Sequence, residues 1–252
     1  MAIRYGYADV PYGQVHYARF DDPSAPPGTP VVLINSRSRS FLPFMTRFPG
    51  IKTVLNVDVP GFGVSTAVPS SPTMRDIAGG VRDALDALGI PRARFAAIHT
   101  GHKVATALAA SCPDHVDRLA VIGRSHSLIP DHARRNAAMQ AVVEENQVDM
   151  AIIRMEGRYA DDTTGQRGFL EVFQANYTFD FTTALRSVAC PVLVAEITSD
   201  REDMLYGRQA AALTAGMADV RCVDLPMTDP TGLMSYAGVD TLAAAITPFL
   251  TG

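Results

Sequence analysis

The hydrophobic residues of this chain fall into short, continuous runs that alternate with segments of helical spacing. Runs without alternation of apolar and polar positions are typical of strands buried on both faces, as in a parallel sheet that helices cover. Two alternating runs on either side of a turn at 10–13 predict a β-hairpin over residues 1–20. The continuous runs, each of which predicts a strand, lie at 31–34, 54–57, 95–98, 119–123 and 191–194, and a further strand is expected at 220–225.

The segments between these runs predict helices. Ser71 and Pro72 are typical of an N-cap followed by a first helical position, so we expect a helix to begin there. Apolar residues at three- and four-residue spacing give this helix one buried face, and Gly89 ends it. A last helix is expected over 240–250.

The pattern changes in one region, from about Pro130 to Ser187, where helical segments follow one another without a strand of the parallel type. Strand–helix alternation on both sides of such an insertion predicts an α/β fold. We expect a mostly parallel central sheet with helices on both faces and a helical cap insertion. The core domain is predicted over 1–126 and 187–252, and the cap over 127–186.

The charge and hydropathy of the chain argue against nucleic-acid and membrane partners. The 252 residues carry a formal net charge of −4 without a block of like charges, and no basic stripe with interleaved aromatic residues is present. We therefore expect no nucleic-acid partner. The first residues contain no apolar signal segment and no run of about 18 apolar residues occurs, so we expect no membrane partner and a cytoplasmic location. Three widely spaced cysteines predict reduced thiols.

The strand at 95–98 leads into the stretch with the clearest functional pattern. A sharp turn at His99 and Thr100 separates this strand from a helix of small residues. Strand, turn and helix in this order form a nucleophile elbow, which lifts one side chain over the end of a parallel sheet. The usual elbow pattern is G-x-S-x-G, and here the same five positions read Ala-Ile-His-Thr-Gly, from Ala97 to Gly101. His99 therefore occupies the position of the nucleophile.

Several motifs in order along the chain resemble those of the α/β-hydrolase fold family, over nearly all of its length. VVLINS stands for the family's apolar strand followed by His-Gly, and DVPGFGVS matches D-x-P-G-x-G-x-S. ALDALGIPRARFAAI leads into the elbow, SCPDHVDRLAVIG matches the helix end and the next strand, and CPVLVAEITSD matches the strand that delivers the catalytic acid. The resemblance implies an α/β-hydrolase fold with a helical cap.

The resemblance also implies a catalytic order of nucleophile, acid and histidine, and this chain departs from that order. His99 stands at the nucleophile position, and Asp200 matches the acid. The family's last histidine is absent, since Asp229 and its neighbours occupy that region and no histidine follows His132. The triad is therefore degenerate.

The family's oxyanion hole uses backbone N–H groups, which survive side-chain substitution. These donors map to Thr100 and to Arg37. Arg37, Arg39 and Arg124 also add positive charge near the predicted mouth, which favours an anionic or enolising substrate, although solvated surface charges are an equal alternative. The other candidate pocket residues are Ser36, Ser38, Arg124, His126 and Asp229.

A histidine at the elbow is a poor hydrolytic nucleophile without a second base, but it is a good general base. With Asp200 as a partner or water orienter, His99 could abstract a proton α to a carbonyl. Elimination, C–C cleavage and isomerisation would fit, on a small carbonyl-containing metabolite of secondary metabolism and without a cofactor. An esterase with a rebuilt site, using Ser36, Ser38 or Ser40, and a ligand-binding pseudoenzyme are the alternatives.

A metal site is the less favoured use of the same histidine. His99-x-x-His102 has metal-like spacing, and Asp200 could add a third ligand. Position 102 of such a helix is usually close-packed and turned away from the pocket, so we expect no metal. The sequence leaves a homodimer open.

Overall fold

A computed structural model of the chain describes residues 2–35, 42–124, 171–172, 174–200, 203–204, 207–226 and 236–252. Its centre is an eight-stranded sheet with the strand order β1-β2-β4-β3-β5-β6-β7-β8. The first two strands form the expected hairpin and pair antiparallel, as do β2 and β4, whereas every later pair is parallel. The strands are β1 (Arg4–Val10), β2 (Gly13–Asp21), β3 (Val31–Asn35), β4 (Thr53–Asp58), β5 (Ala93–Ile98), β6 (Val116–Ile122), β7 (Val192–Thr198) and β8 (Val220–Pro226). The mostly parallel sheet predicted from the apolar runs is confirmed.

Helices cover both faces of this sheet. Alternate residues of the strands enter one of two hydrophobic clusters, so that Val32 and Ile34 of β3 face one way and Val31 and Leu33 the other. The first cluster contains buried side chains from the helical segments between β4 and β8, and the second contains those of the C-terminal helix. The helices are α1 (Met74–Ala87), α2 (Thr100–Ser111), α3 (Phe181–Arg186), α4 (Ala210–Thr214) and α5 (Tyr236–Thr251). Pro113–His115 forms a short 3-10 helix, and residues 171–172 and 174–178 are also helical.

The start of α1 differs from the expectation. The N-cap is Thr73, not Ser71, and Thr73 and Asp76 form a capping box in which each side chain accepts a hydrogen bond from the other's backbone N–H. Two backbone donors at the helix start are thereby satisfied, which favours this start over one at Pro72. Ser71 has a φ of 49°, and Gly89, with a φ of 69°, follows the helix as expected.

The predicted cap lies largely outside the described residues, since 125–170 are not among them. Its last part contains α3, and this helix packs on the core: Phe181 and Leu185 are fully buried in the cluster that also holds α1 and α2. The structure thus places 181–186 with the core layer. Within the described residues, no helix is both long and apolar enough to cross a membrane.

Candidate active site

The backbone at His99 has the geometry that the elbow pattern predicts. His99 lies between β5 and α2 with φ 51° and ψ −125°, a region that non-glycine residues rarely adopt. Such a conformation costs roughly 1–3 kcal/mol and persists only where the surroundings impose it. One constraint is Gly101, where a β-carbon would lie 2.2 Å from the Ile34 carbonyl oxygen. The start of α2 therefore lies directly against β3, which holds the turn between them tight.

The His99 side chain is exposed and lies above the carboxyl end of β6. Its Nδ1 and Cε1 atoms are each 3.8 Å from the position of a β-carbon on Gly123, the residue that follows β6. The Ile197 Cδ1 atom is 3.7 Å from the same position. The imidazole therefore extends from β5 over β6 and toward β7.

The register of the sheet places His99 and Asp200 at the same edge. Ile98, the last residue of β5, pairs with Ile122 of β6, and Ile122 pairs with Ala195 of β7. Asp200 follows the end of β7 by two residues and is exposed. Since neighbouring strands lie about 4.8 Å apart, Ile98 and Ala195 are about 10 Å apart, and β7 runs three residues beyond Ala195 before its end. The structure thus brings the two predicted catalytic residues to one edge, with β6 between their strands.

Thr100 occupies a position suited to the predicted oxyanion donor. It is the first residue of α2, and its N–H is one of the helix-start donors that have no partner inside a helix. The positive end of the helix dipole adds to the attraction for a developing negative charge. The second predicted donor, Arg37, lies outside the described residues, as do Ser36, Ser38, Arg39, Ser40, His126 and Asp229.

The two residues after Gly101 are buried and point into the core. His102 is 1% exposed, its ring stacks on Phe181 with the centroids 4.7 Å apart, and its Nδ1 lies 3.3 Å from the Ile122 carbonyl oxygen. It is the close-packed helix-start residue expected from the sequence. Among the described residues, no group of three His, Cys, Asp or Glu side chains is arranged to hold a metal ion.

Lys103 is a buried cation that sequence reasoning missed. It is 4% exposed, and its Nζ donates to the Asn176 carbonyl oxygen at 2.7 Å. Burial lowers the pKa of Lys103 to about 8. The signal in the sequence was a single lysine inside a helix start of otherwise small or apolar residues.

Arg124 lies in a buried ion-pair cluster and not as a free positive charge at a pocket mouth. Its side chain is fully buried, and its guanidinium donates to the Asp203 carboxylate and, at 2.8 Å, to the Gly207 carbonyl oxygen. Its Nε lies 3.7 Å from Oε1 of Glu196, within ion-pair range but without a hydrogen bond. The charge that the sequence assigned to substrate attraction is therefore compensated by carboxylates of the protein.

Glu196 at the centre of this cluster was also missed by sequence reasoning. It is 2% exposed on β7, and its Oε1 accepts hydrogen bonds from the backbone N–H groups of Gln209 (2.5 Å) and Ala210 (3.1 Å). Its Oε2 lies 2.7 Å from Nε of Arg208. A lone carboxylate within an apolar strand run was the available signal, but its partners are distant in the chain.

Solved structures with this architecture are known, although no sequence family and no curated protein matches the chain. The enol-lactonase from Burkholderia xenovorans LB400 is 22% identical, with a TM-score of 0.71 over 98% of this chain and 100% of that chain. The chain has the α/β-hydrolase fold. A thermophilic esterase from Thermogutta terrifontis (18% identity, TM-score 0.69, 99% and 98% covered) and the haloalkane dehalogenase DbeA from Bradyrhizobium elkani USDA94 (17%, 0.68, 99% and 99%) share it.

Proposed function

We propose that this α/β-hydrolase-fold protein is an enzyme that acts on a small carbonyl-containing metabolite in the cytoplasm, with His99 as its general base. The observation that carries the proposal is the conformation of His99. An elbow held at φ 51° presents an exposed imidazole beside the N–H of Thr100 at the start of α2. A proton acceptor and a donor for a developing oxyanion are the two groups that enolate chemistry needs.

In the proposed reaction, His99 takes a proton from the carbon next to the substrate carbonyl. The electron pair left on that carbon moves into the carbonyl and forms an enolate, whose oxygen accepts hydrogen bonds from the N–H groups of Thr100 and Arg37. Return of the proton from His99 to another carbon completes an isomerisation. Alternatively, a leaving group departs from the carbon β to the carbonyl and takes the proton from the imidazolium of His99, which completes an elimination. These steps move only protons and electron pairs between the substrate and His99, and the proposal invokes no cofactor.

Asp200 is the proposed partner of His99. A carboxylate near an imidazole stabilises the imidazolium form and thereby strengthens the histidine as a base. The imidazole extends over Gly123 toward β7, the strand that Asp200 follows, so its direction favours this pairing. A water or a substrate group between the two residues would also serve, because each is exposed.

Hydrolysis is the second candidate, and the fold neighbours favour it. They include an enol-lactonase and an esterase, and lactones and esters both carry the carbonyl group that the first proposal requires. A hydrolase of this kind would need a nucleophile other than His99, for which Ser36, Ser38 and Ser40 on the predicted oxyanion loop are the candidates.

Labelling with a fluorophosphonate separates the two candidates. We expect intact-mass analysis and peptide mapping to find no adduct on a serine, and a short-chain nitrophenyl ester to be turned over no faster than in buffer. A stoichiometric adduct on Ser36, Ser38 or Ser40, together with ester turnover, would contradict His99 as the base and support the hydrolase. Substituting the labelled serine by alanine provides the control, since it must abolish both signals.

A further inference from the structure

The segment that carries Asp200 is tied to the core through the Arg124 cluster. After β7 the chain reaches Asp200 and returns to the sheet face at α4. The Asp203 N–H donates to the Ser199 carbonyl oxygen at 2.9 Å, which joins Asp203 to the residue directly before Asp200. The Gly207 N–H in turn donates to the Asp203 carbonyl oxygen at 3.0 Å. Asp203 and Gly207 are therefore two points on the segment after Asp200 through which a neighbour can hold Asp200 in place.

Arg124 holds both of these points. One nitrogen of its guanidinium donates to the Asp203 carboxylate and another to the Gly207 carbonyl oxygen, 2.8 Å away. The guanidinium is planar, and its donors form a fixed fork, so both contacts are made in one orientation. The side chain is fully buried two residues after the end of β6, so the surrounding atoms restrict it to this orientation.

Glu196 and Arg208 complete the cluster around Arg124. Glu196 accepts from the first N–H groups of α4 and faces the guanidinium of Arg124, so it fixes the far end of the Asp200 segment. Arg208 bridges Glu196 and Asp224 of β8. The described charged groups around Arg124 are therefore Glu196 on β7, Asp203 and Arg208 on the segment after it, and Asp224 on β8. Each arginine of the cluster contacts two carboxylates.

We propose that Arg124 is a positioning residue for Asp200. By holding Asp203 and Gly207 against the end of β6, it places the Asp200 carboxylate at the edge of the sheet toward which the His99 imidazole points. This inference rests on the proposed function, because it takes Asp200 to be the partner of His99. It gives a purpose to an arginine that is buried next to the proposed catalytic edge and whose two terminal nitrogens donate to Asp203 and Gly207 of the protein itself.

The test is the pKa of His99, measured by NMR titration of the free protein, with the signal assigned from its loss in His99→Gln. An Asp200 carboxylate near His99 raises the pKa of the imidazole, so Asp200→Asn is expected to lower it by about one pH unit. Arg124→Lys retains the positive charge but not the fork, and it is expected to lower the pKa of His99 by a similar amount.

The sign of the change in Arg124→Gln separates positioning from a direct charge effect. Removing a nearby positive charge raises the pKa of a histidine, whereas losing the Asp200 carboxylate lowers it. We expect a lower pKa, and an increase would overturn the inference. Arg94→Lys is the matched control, because Arg94 also donates to a carboxylate (Asp117, 2.9 Å) and to a backbone carbonyl (Leu250, 2.5 Å) but lies near the start of β5. It is expected to leave the pKa of His99 unchanged.

If the Arg124 variants fail to fold, substitutions of two half-exposed carboxylates provide the test instead. Asp203→Asn and Asp224→Asn each remove one half-exposed carboxylate that accepts from an arginine of the cluster. Asp203 accepts from Arg124, whereas Asp224 accepts from Arg208. A lowered pKa of His99 in Asp203→Asn alone supports positioning, and equal shifts in both overturn it.

The same measurements distinguish a failure of this inference from a failure of the proposed function. An unchanged pKa of His99 in Asp200→Asn would overturn the pairing of His99 with Asp200 and the inference with it. A lowered pKa in Asp200→Asn, together with an unchanged one in the folded Arg124→Lys variant, would overturn the inference alone.

Discussion

The His99 imidazole lies over Gly123, with its Nδ1 and Cε1 atoms 3.8 Å from where a β-carbon on that glycine would stand. The pair links the turn after β5 to the end of β6, and Gly123 has a φ of 87°, which favours glycine. Because Gly123 has no side chain, the His99 imidazole lies directly over the backbone at the end of β6.

Substitution of Gly123 by alanine is expected to act through the backbone and not through the imidazole. A contact at 3.8 Å is an ordinary van der Waals distance, so His99 does not have to move. The positive φ costs a residue with a β-carbon roughly 1–2 kcal/mol. Urea unfolding should show this loss, while NMR titration should find the pKa of His99 unchanged. A changed pKa of His99 in a Gly123→Ala variant of near-normal stability would contradict this expectation.

Gly101→Ala is expected to be far more damaging. Its β-carbon would lie 2.2 Å from a carbonyl oxygen and 2.6 Å from the carbonyl carbon of Ile34, both of which are backbone atoms of a buried strand. The start of α2 would have to move away from β3, at a cost of about 3 kcal/mol or more. Since the elbow depends on that contact, we expect Gly101→Ala to lose both folding stability and the activity proposed for His99.

Gly79→Ala is the matched control for Gly101→Ala. Gly79 also lies in a helix, α1, but nothing stands within 4 Å of its β-carbon position. Alanine there should raise the free energy of unfolding by roughly 0.5–1 kcal/mol, because glycine disfavours a helix interior. Equal effects of the two substitutions in urea unfolding would rule out the close approach of α2 and β3.

Burial of Lys103 predicts a rise of stability at alkaline pH. Its pKa is lowered from 10.5 to about 8 in the folded chain, so below pH 8 the folded and the unfolded chain both carry the proton. Between about pH 8 and 10.5 the unfolded chain binds more protons, and stability therefore increases with pH. At 1.36 kcal/mol per pH unit, the full gain is on the order of 3 kcal/mol.

Lys103→Met isolates this effect. The difference in free energy of unfolding between wild type and variant should move in favour of the wild type from pH 7.5 to pH 10, because methionine has no proton to lose. The other titrating groups cancel in this difference. Parallel pH profiles of the two proteins would show that Lys103 keeps an ordinary pKa when it is folded.

The strands and their parallel pairing were predictable because burial on both faces leaves a direct mark in the sequence, a continuous apolar run. The elbow was also predictable, because the close approach of α2 to β3 requires a glycine at position 101, and that glycine is visible in the sequence. The start of α1 was misplaced although its signal was present: Asp76 stands three residues after Thr73, the spacing of a capping box.

The charged groups of the site were not predictable from local pattern. Glu196 interrupts an apolar strand, and its burial is compensated by Arg208, twelve residues later, and by Arg124 on another strand end. Only the sheet order brings these residues together. Arg124 was expected as a positive charge near the pocket mouth or on the surface, whereas its buried side chain is directed to Asp203.

The most direct test of His99 as a base is deuterium incorporation from heavy water. A panel of small ketones, esters and lactones is incubated with wild type, His99→Gln and, as control, His115→Gln, whose imidazole lies 3.0 Å from Asp86 away from the elbow. Mass spectrometry then follows exchange at the carbon next to each carbonyl. We expect exchange with wild type and His115→Gln and a loss of about 100-fold or more in His99→Gln. Exchange that persists undiminished in a folded His99→Gln variant would contradict the assignment of His99 as the base.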